Sequence, residues 1–173
     1  MVRVTKREDI LEAGQALFGR HGFHAVPIDE VIREAGVSPR TLYAHFPSKE
    51  ALAVAVLEER HRRFLDSLAG AVDEPDPVTA LFDRLEEWLT DAGPSGCLFL
   101  RALGEFDSNA ITHCVASYRR DLRSVIECFF PSAEEDLIDE LLLLVEGATA
   151  LASTLGAGRA VRSARAAAER MTK

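Results

Sequence analysis

Residues 27–49 read PIDEVIREAGVSPRTLYAHFPSK, and they contain two short helical patterns separated by a glycine turn. Gly36 ends the first pattern, because glycine readily adopts the backbone conformation that closes a helix. Ser38-Pro39 is an N-cap followed by a proline at the first helical position, and Pro47 stops the second pattern. Two helices of about eight residues, joined by a turn of about three residues with a glycine, are typical of a helix-turn-helix.

The second helix of this pair separates apolar from polar side chains. At about 100° per residue, Leu42 and Phe46 point in one direction, which we interpret as the direction of the core. Arg40 and Thr41 lie on the opposite side. Such a helix can rest its outer face in a major groove of DNA, with Arg40 and Thr41 near the base edges.

Three further side chains are suited to phosphates along the borders of that groove. Tyr43 and His45 fall on the two flanks of the helix, where an O–H and a ring N–H can donate to the DNA backbone. Lys49 lies in the first turn of the next helix, where a cation is unfavourable unless an anion is bound nearby. Residues 35–49 contain no carboxylate. The pattern therefore predicts a DNA-binding helix-turn-helix, and the alternative is a helix pair that serves only for packing.

A resemblance to a known family rests on the run Leu42-Tyr43-x-His45-Phe46-x-Ser48-Lys49. Over about residues 5–60 the chain resembles the DNA-binding domain of the tetracycline-repressor (TetR) family of bacterial transcriptional regulators. By match to the family motif, seven residues take the DNA-facing roles: Ser38, Pro39, Arg40, Thr41, Tyr43, His45 and Lys49. The resemblance implies a homodimeric, all-helical repressor that binds a palindromic operator in double-stranded DNA and leaves it when a small ligand occupies the C-terminal domain.

The sequence departs from the family pattern at one position. A hydroxyl residue is common in the family where Pro27 stands, at the start of the first helix of the pair, and proline cannot donate to a phosphate. The contact would have to come from the backbone N–H of Ile28 or Asp29, with the carboxylates of Asp29 and Glu30 opposing it. This departure and the net charge of −8 favour the alternative function, a helical ligand-binding or adaptor protein whose helix-turn-helix does not bind DNA.

The rest of the chain carries helical patterns as well. Strand signals are nearly absent, and Ala, Leu, Glu and Arg dominate. Thr5-x-x-Glu8 is a capping box that opens a first helix over about residues 6–21, and Ser48 caps a long fourth helix. Five later patterns cover residues 78–91, 97–106, 110–129, 134–155 and 159–171.

These patterns predict an all-α fold of about nine helices in two domains. Residues 1–47 form a three-helix helix-turn-helix domain, which the long fourth helix links to a ligand-binding and dimerisation domain of residues 48–173. Residues 1–63 hold ten Lys or Arg and nine Asp or Glu, whereas residues 64–173 hold ten and nineteen. The negative net charge therefore belongs to the second part, and the first part can still approach nucleic acid.

The C-terminal part contains candidates for the lining of a ligand cavity. They are mainly apolar or aromatic side chains: Leu85, Trp88, Leu89, Phe99, Leu103, Phe106, Cys114 and Tyr118. Few polar groups converge with them, so an apolar or aromatic effector is preferred, and the alternative is plain core. Residues 96–103 resemble a segment of the effector domains of some family members.

Cys97 lies near a predicted helix N-terminus, where the pKa of a thiol can fall. This position motivates the hypothesis that Cys97 is a redox sensor. The alternative is that it is a small, buried apolar residue.

The last two helices are the predicted dimer interface. Residues 137–155 contain too many apolar side chains to be buried along one face of a helix, so this helix needs packing partners on two sides. The final helix offers small residues such as Ala160, Ala164 and Ala168, which allow another helix to approach closely. Two copies would then form a four-helix bundle, as the resemblance also implies, and the alternative is a core within one chain.

Other classes of protein find little support in the sequence. The five histidines are scattered without metal-ligand spacing and no catalytic motif occurs, so we predict no enzyme activity, no metal and no cofactor. The longest apolar run, residues 51–57, is far shorter than the roughly 20 residues of a membrane span. The N-terminus lacks the apolar segment of a secretion signal, and the three cysteines form no C-x-x-C pair, which indicates reduced thiols and a cytoplasmic location.

Overall fold

The computed structural model describes residues 5–91 and 97–173, and in these ranges the chain forms nine α-helices and no strand. Each of the six helix ranges predicted in residue numbers lies within two residues of the observed one, and the predicted all-α fold class is confirmed. The helices are α1 (Lys6–His21), α2 (Ile28–Glu34), α3 (Pro39–His45), α4 (Lys49–Ala69), α5 (Pro77–Asp91), α6 (Leu98–Glu105), α7 (Asn109–Phe129), α8 (Glu135–Leu155) and α9 (Ala157–Met171).

Hydroxyl side chains begin three of the N-terminal helices, as the sequence predicts. Thr5 Oγ1 accepts from the N–H of Glu8 at 3.3 Å, and the N–H of Thr5 donates to Glu8 Oε2 at 2.6 Å, which completes the capping box. Ser38 Oγ accepts from the N–H of Thr41 at 3.1 Å. Ser48 Oγ accepts from the N–H three residues further on at 3.0 Å. These bonds satisfy N–H groups that have no partner inside their helix, and so they fix where α1, α3 and α4 begin.

The first of two compact units comprises Met1–His61 and Leu98–Val115. In it, α1, α2 and α3 pack on one another over a core that includes Phe18, Phe23 and Leu42, each fully buried. The rings of Phe18 and Phe23 lie 4.9 Å apart between centroids. α1 approaches α4 closely at Gly14, where an added Cβ would lie 3.0 Å from Val56 Cγ2. This packing holds α3 in place by its apolar side.

The second unit comprises Arg62–Cys97 and Ala116–Lys173. α8 packs along α9, and α5 packs against both of them. An ion pair between Arg165 of α9 and Asp83 of α5 supports this arrangement. Among the helices in the described residues, none combines the length and the apolar character that a membrane span needs.

The two compact units do not follow the predicted division between residues 47 and 48. α4 and α7 are continuous helices that contribute residues to both units, and α6 belongs to the first unit. A compact unit of this kind is not the same as a separately functioning domain. The domains 1–47 and 48–173 therefore stay a prediction.

Candidate nucleic-acid interface

α3 is anchored by two apolar side chains. Leu42 is fully buried and Phe46 is 3% exposed, so both point into the core, as the helical spacing predicts. The helix is closed at its ends by the N–H of Leu42, which donates to Ser38 O at 3.1 Å, and by the N–H of Phe46, which donates to Leu42 O at 2.8 Å. The other side chains of α3 therefore project from the sides of the helix that do not face the core.

The outer side of α3 carries most of the predicted DNA-facing residues. Five of them are exposed on α3 or at its N-cap: Ser38, Pro39, Arg40, Tyr43 and His45. Tyr43 keeps 49% of its surface exposed, an unusual extent for a large aromatic side chain. Thr41 is half-buried, and its hydroxyl shares a hydrogen bond of 2.8 Å with Ser38 Oγ, which makes it less available to a base than Arg40.

Lys49 lies in a different environment from the other six residues. It is half-buried at the start of α4, and its Nζ donates to the carbonyl oxygen of His24 at 3.4 Å. Burial lowers the pKa of Lys49, and the negative charge of Glu105 acts in the opposite direction. The anion that the sequence led us to expect beside Lys49 is thus provided in part by a carboxylate of the protein. A phosphate contact of Lys49 stays a prediction.

Arg7 is a basic residue near α3 that sequence reasoning missed. Its guanidinium carbon lies 5.5 Å from the centroid of the Phe46 ring, and its side chain is exposed. The ring of His45 lies 6.3 Å from that of Phe46. Arg7 therefore adds a cation close to the C-terminal end of α3. No local pattern marks it, because the contact joins residues 39 positions apart in the sequence.

Pro27 precedes the first helical residue of α2, whereas the sequence suggested that the helix begins with it. It is the N-cap of α2, with φ −69° and ψ 149°, and its carbonyl oxygen accepts from the N–H of Glu30 at 3.0 Å. The first turn of α2 carries Asp29 and Glu30, which interact favourably with the helix dipole but repel a phosphate. The reservation that Pro27 raises about this end of α2 therefore stands.

The eight candidates for the ligand cavity divide between the two compact units. Phe99, Leu103, Phe106 and Cys114 belong to the first unit, and Leu85, Trp88, Leu89 and Tyr118 belong to the second. Five of the eight are buried: Leu85, Leu89, Phe99, Cys114 and Tyr118. Their role in binding a ligand stays a prediction, since burial of this kind is equally that of plain core.

Several of these candidates have identified neighbours inside their own unit. The Phe106 ring lies 5.4 Å from that of Phe23, and the Trp88 ring lies 5.2 Å from that of Phe64. The O–H of Tyr118 donates to Glu146 Oε1 at 3.0 Å. Glu146 is a polar neighbour that sequence reasoning missed, because its contact joins α7 to α8 across 28 residues.

The cysteines do not form a reactive cluster. Cys97 and Cys114 are buried and Cys128 is exposed. Burial, with Glu58 as a smaller contribution, raises the pKa of the Cys114 thiol to about 11, so this thiol stays protonated at neutral pH. A sensor role for Cys97, which directly precedes α6, stays a prediction. Within the described ranges, no group of three or more His, Cys, Asp or Glu side chains is arranged to hold a metal ion.

The anchored α3, its exposed polar side and its short turn after α2 define a class of protein, the all-helical proteins with an N-terminal helix-turn-helix. Residues 10–56 match the family model of "Bacterial regulatory proteins, tetR family". Over that segment the chain is similar to this family.

Two curated relatives are HTH-type transcriptional regulators. The HTH-type transcriptional regulator UidR of Escherichia coli (strain K12) is 39% identical over 59 residues, which cover 34% of this chain and 30% of UidR. The HTH-type transcriptional regulator RutR of the same strain is 36% identical over 77 residues, which cover 44% of this chain and 36% of RutR. The chain thus spans about a third of the length of these curated relatives.

Similarity of structure extends over most of the chain. The crystal structure of a TetR-family transcriptional regulator from Streptomyces coelicolor superposes with a TM-score of 0.83 and covers 95% of this chain and 93% of that chain. The sequence identity of the two is 23%, so this likeness concerns the fold.

Proposed function

We propose that this protein is a one-component, DNA-binding transcriptional repressor of the cytoplasm. The observation that carries the proposal is the arrangement of α3, in which two buried side chains fix the helix and leave an exposed polar side. An exposed arginine in the first turn of such a helix is suited to a guanine edge, and side chains on the flanks are suited to phosphates. The family match of residues 10–56 supports the same function.

The proposed mechanism requires two copies of the chain. Two α3 helices related by a two-fold axis would read the two halves of a palindromic operator. We propose that the copies contact each other through α8 and α9, and α8 exposes Leu143, Leu151 and Leu155. A small apolar or aromatic ligand bound in the C-terminal part would release the operator.

Selection of bound sequences from a random library of DNA duplexes tests the proposal directly. We expect the full-length protein to enrich a palindrome and to bind it with a steep salt dependence, because cations on the protein release counterions from the phosphates. If no duplex is bound even at low salt, the alternative of a ligand-binding or adaptor protein is favoured.

Removal of single cations should separate phosphate contacts from base contacts. We expect Arg7→Ala to weaken binding to all duplexes similarly and to reduce the slope of log K against log salt by about one, as for one lost phosphate contact. Lys49→Ala should reduce the slope in the same way. Titrations by fluorescence anisotropy at several salt concentrations measure both effects.

The structure predicts a difference between these two variants. Lys49 donates to the carbonyl oxygen of His24, whereas the Arg7 side chain is exposed over a ring. Thermal unfolding should therefore detect a loss of stability for Lys49→Ala and little change for Arg7→Ala. An unchanged salt slope in both variants would contradict the phosphate roles.

A further inference from the structure

One face of α6 carries two charged side chains that bind backbone groups of the α1–α2 region. Arg101 and Glu105 are four residues apart and so lie on the same face of the helix. Arg101 Nη1 donates to the carbonyl oxygens of Phe18 at 3.3 Å and Gly19 at 3.0 Å. Glu105 Oε2 accepts from the N–H of His24 at 2.5 Å. All of these residues belong to the first compact unit.

Arg101 supplies a cap at the end of α1. The last four carbonyl groups of a helix have no partner inside the helix, and the C-terminal end of its dipole favours a cation. Phe18 and Gly19 belong to the last turn of α1, which ends at His21. The Phe18 carbonyl also accepts from the N–H of Gly22 at 2.9 Å, so the guanidinium adds a second bond there and supplies a donor to the carbonyl of Gly19. The end of α1 is thereby fixed by a side chain about 80 residues further along the sequence.

Glu105 holds the chain where it leaves α1. Gly22 has a φ of +87°, a conformation that favours glycine, and a Cβ added there would lie 2.6 Å from Glu105 Oε1. Glycine is therefore needed both for the turn and for the approach of the carboxylate. Lys49 Nζ donates to the carbonyl oxygen of His24, so both backbone groups of His24 are bound by charged side chains. Phe106, the residue after α6, adds ring contacts to Phe23 at 5.4 Å and His24 at 5.6 Å.

The α1–α2 loop, residues 22–27, connects this fixed point to the helix-turn-helix. α2 begins four residues after His24, and α3 follows α2 after a short turn. Displacement of the loop would shift the start of α2 and, through it, the position of α3. We infer that Arg101 and Glu105 are positioning residues for DNA binding, which hold the α1–α2 loop so that α3 is presented in one position. This inference rests on the proposed function and concerns residues outside the family match of 10–56.

A double-mutant cycle in the full-length protein tests the inference. We expect Glu105→Ala to weaken binding to the selected palindrome about tenfold, the order expected for a lost hydrogen bond to a charged group. Gly22→Ala should weaken binding at least as much, because its Cβ displaces the carboxylate and because alanine is strained at a φ of +87°. In the Glu105→Ala background only the strain remains, so the additional effect of Gly22→Ala should be smaller than in the wild type but not zero.

Further variants separate positioning from a general loss of stability. Glu105→Gln retains an acceptor oxygen and should restore part of the affinity. The amide proton of His24 should resonate far downfield in the wild type, because its bond to the carboxylate is short and charge-assisted, and should move upfield in Glu105→Ala. Glu87→Ala, which removes an exposed carboxylate from a surface ion pair of α5, is the matched control and should change neither quantity.

The results distinguish this inference from the proposed function. A wild type that binds no duplex would refute the proposed function. A wild type that binds its palindrome, together with Glu105→Ala and Arg101→Ala variants of unchanged affinity and an unmoved His24 resonance, would overturn the inference alone. The inference also fails if the affinity falls only in proportion to the fraction of unfolded protein measured by thermal melting.

Discussion

Replacement of Arg40 by alanine is expected to abolish most of the preference for the operator while leaving binding to unrelated DNA nearly unchanged. Arg40 is exposed in the first turn of α3, and the carbonyl and N–H groups that anchor this helix do not involve its side chain. A guanidinium that donates two hydrogen bonds to a guanine contributes about 1–3 kcal/mol of discrimination, or roughly 5- to 150-fold in affinity. Competition titrations with the selected palindrome and a scrambled duplex measure both affinities.

Arg40→Lys is the matched control, because lysine keeps the charge but lacks the planar pair of donors. We expect it to bind scrambled DNA as the wild type does and to remain deficient on the palindrome. A uniform loss on every duplex in Arg40→Ala, with full recovery in Arg40→Lys, would instead assign Arg40 to a phosphate. Such a result would leave base reading to other side chains of α3.

The features predicted correctly from the sequence are those set by neighbours a few residues away. The capping box of Thr5 and Glu8 and the cap of Ser38 each join residues three positions apart, so residue type and spacing suffice to predict them. The direction of Leu42 and Phe46 follows from the helical repeat and from the free-energy gain of burying apolar side chains. Helix boundaries and the apolar side of α3 were therefore predictable.

The environment of the charged residues was not predictable in this way. Lys49 appeared to lack an anion because the sequence does not reveal that Glu105, 56 positions later, lies near it. The bonds of Arg101 to α1 and of Glu105 to His24 join residues more than 80 positions apart. Such contacts depend on how the helices pack, and no periodicity within one helix encodes them. The partners of surface charges are thus the part of the interface that needs a structure.

Replacement of Leu143 by arginine is expected to convert the proposed dimer into monomers. Leu143 keeps 72% of its surface exposed on α8, and Leu151 and Leu155 keep 50% and 40%. Gly147 lies between them at helical spacing, and apart from its chain neighbours and the backbone of its own helix nothing lies within 4 Å of the position a Cβ would take. An exposed apolar row that contains a glycine allows a second helix to approach closely. We propose that this second helix is α8 of another copy of the chain.

The size of the effect follows from the symmetry of the proposed dimer. Burying Leu143 contributes about 2 kcal/mol, and a two-fold interface contains the residue twice, so its loss raises the dimer dissociation constant roughly a thousandfold. The charge of an unpaired arginine adds to this effect. Sedimentation equilibrium measures the constant. Operator affinity should fall with it, because two linked α3 helices bind two half-sites far more tightly than separate ones.

Leu100→Arg provides the matched control for this experiment. Leu100 is also an exposed leucine, at 42%, but it lies on α6 and outside the proposed interface. We expect it to leave the dissociation constant of the dimer unchanged. A monomeric wild type, or a Leu143→Arg variant that remains dimeric at the same concentration, would show that the apolar row of α8 does not join two copies. The operator would then have to be bound by single chains or through another surface.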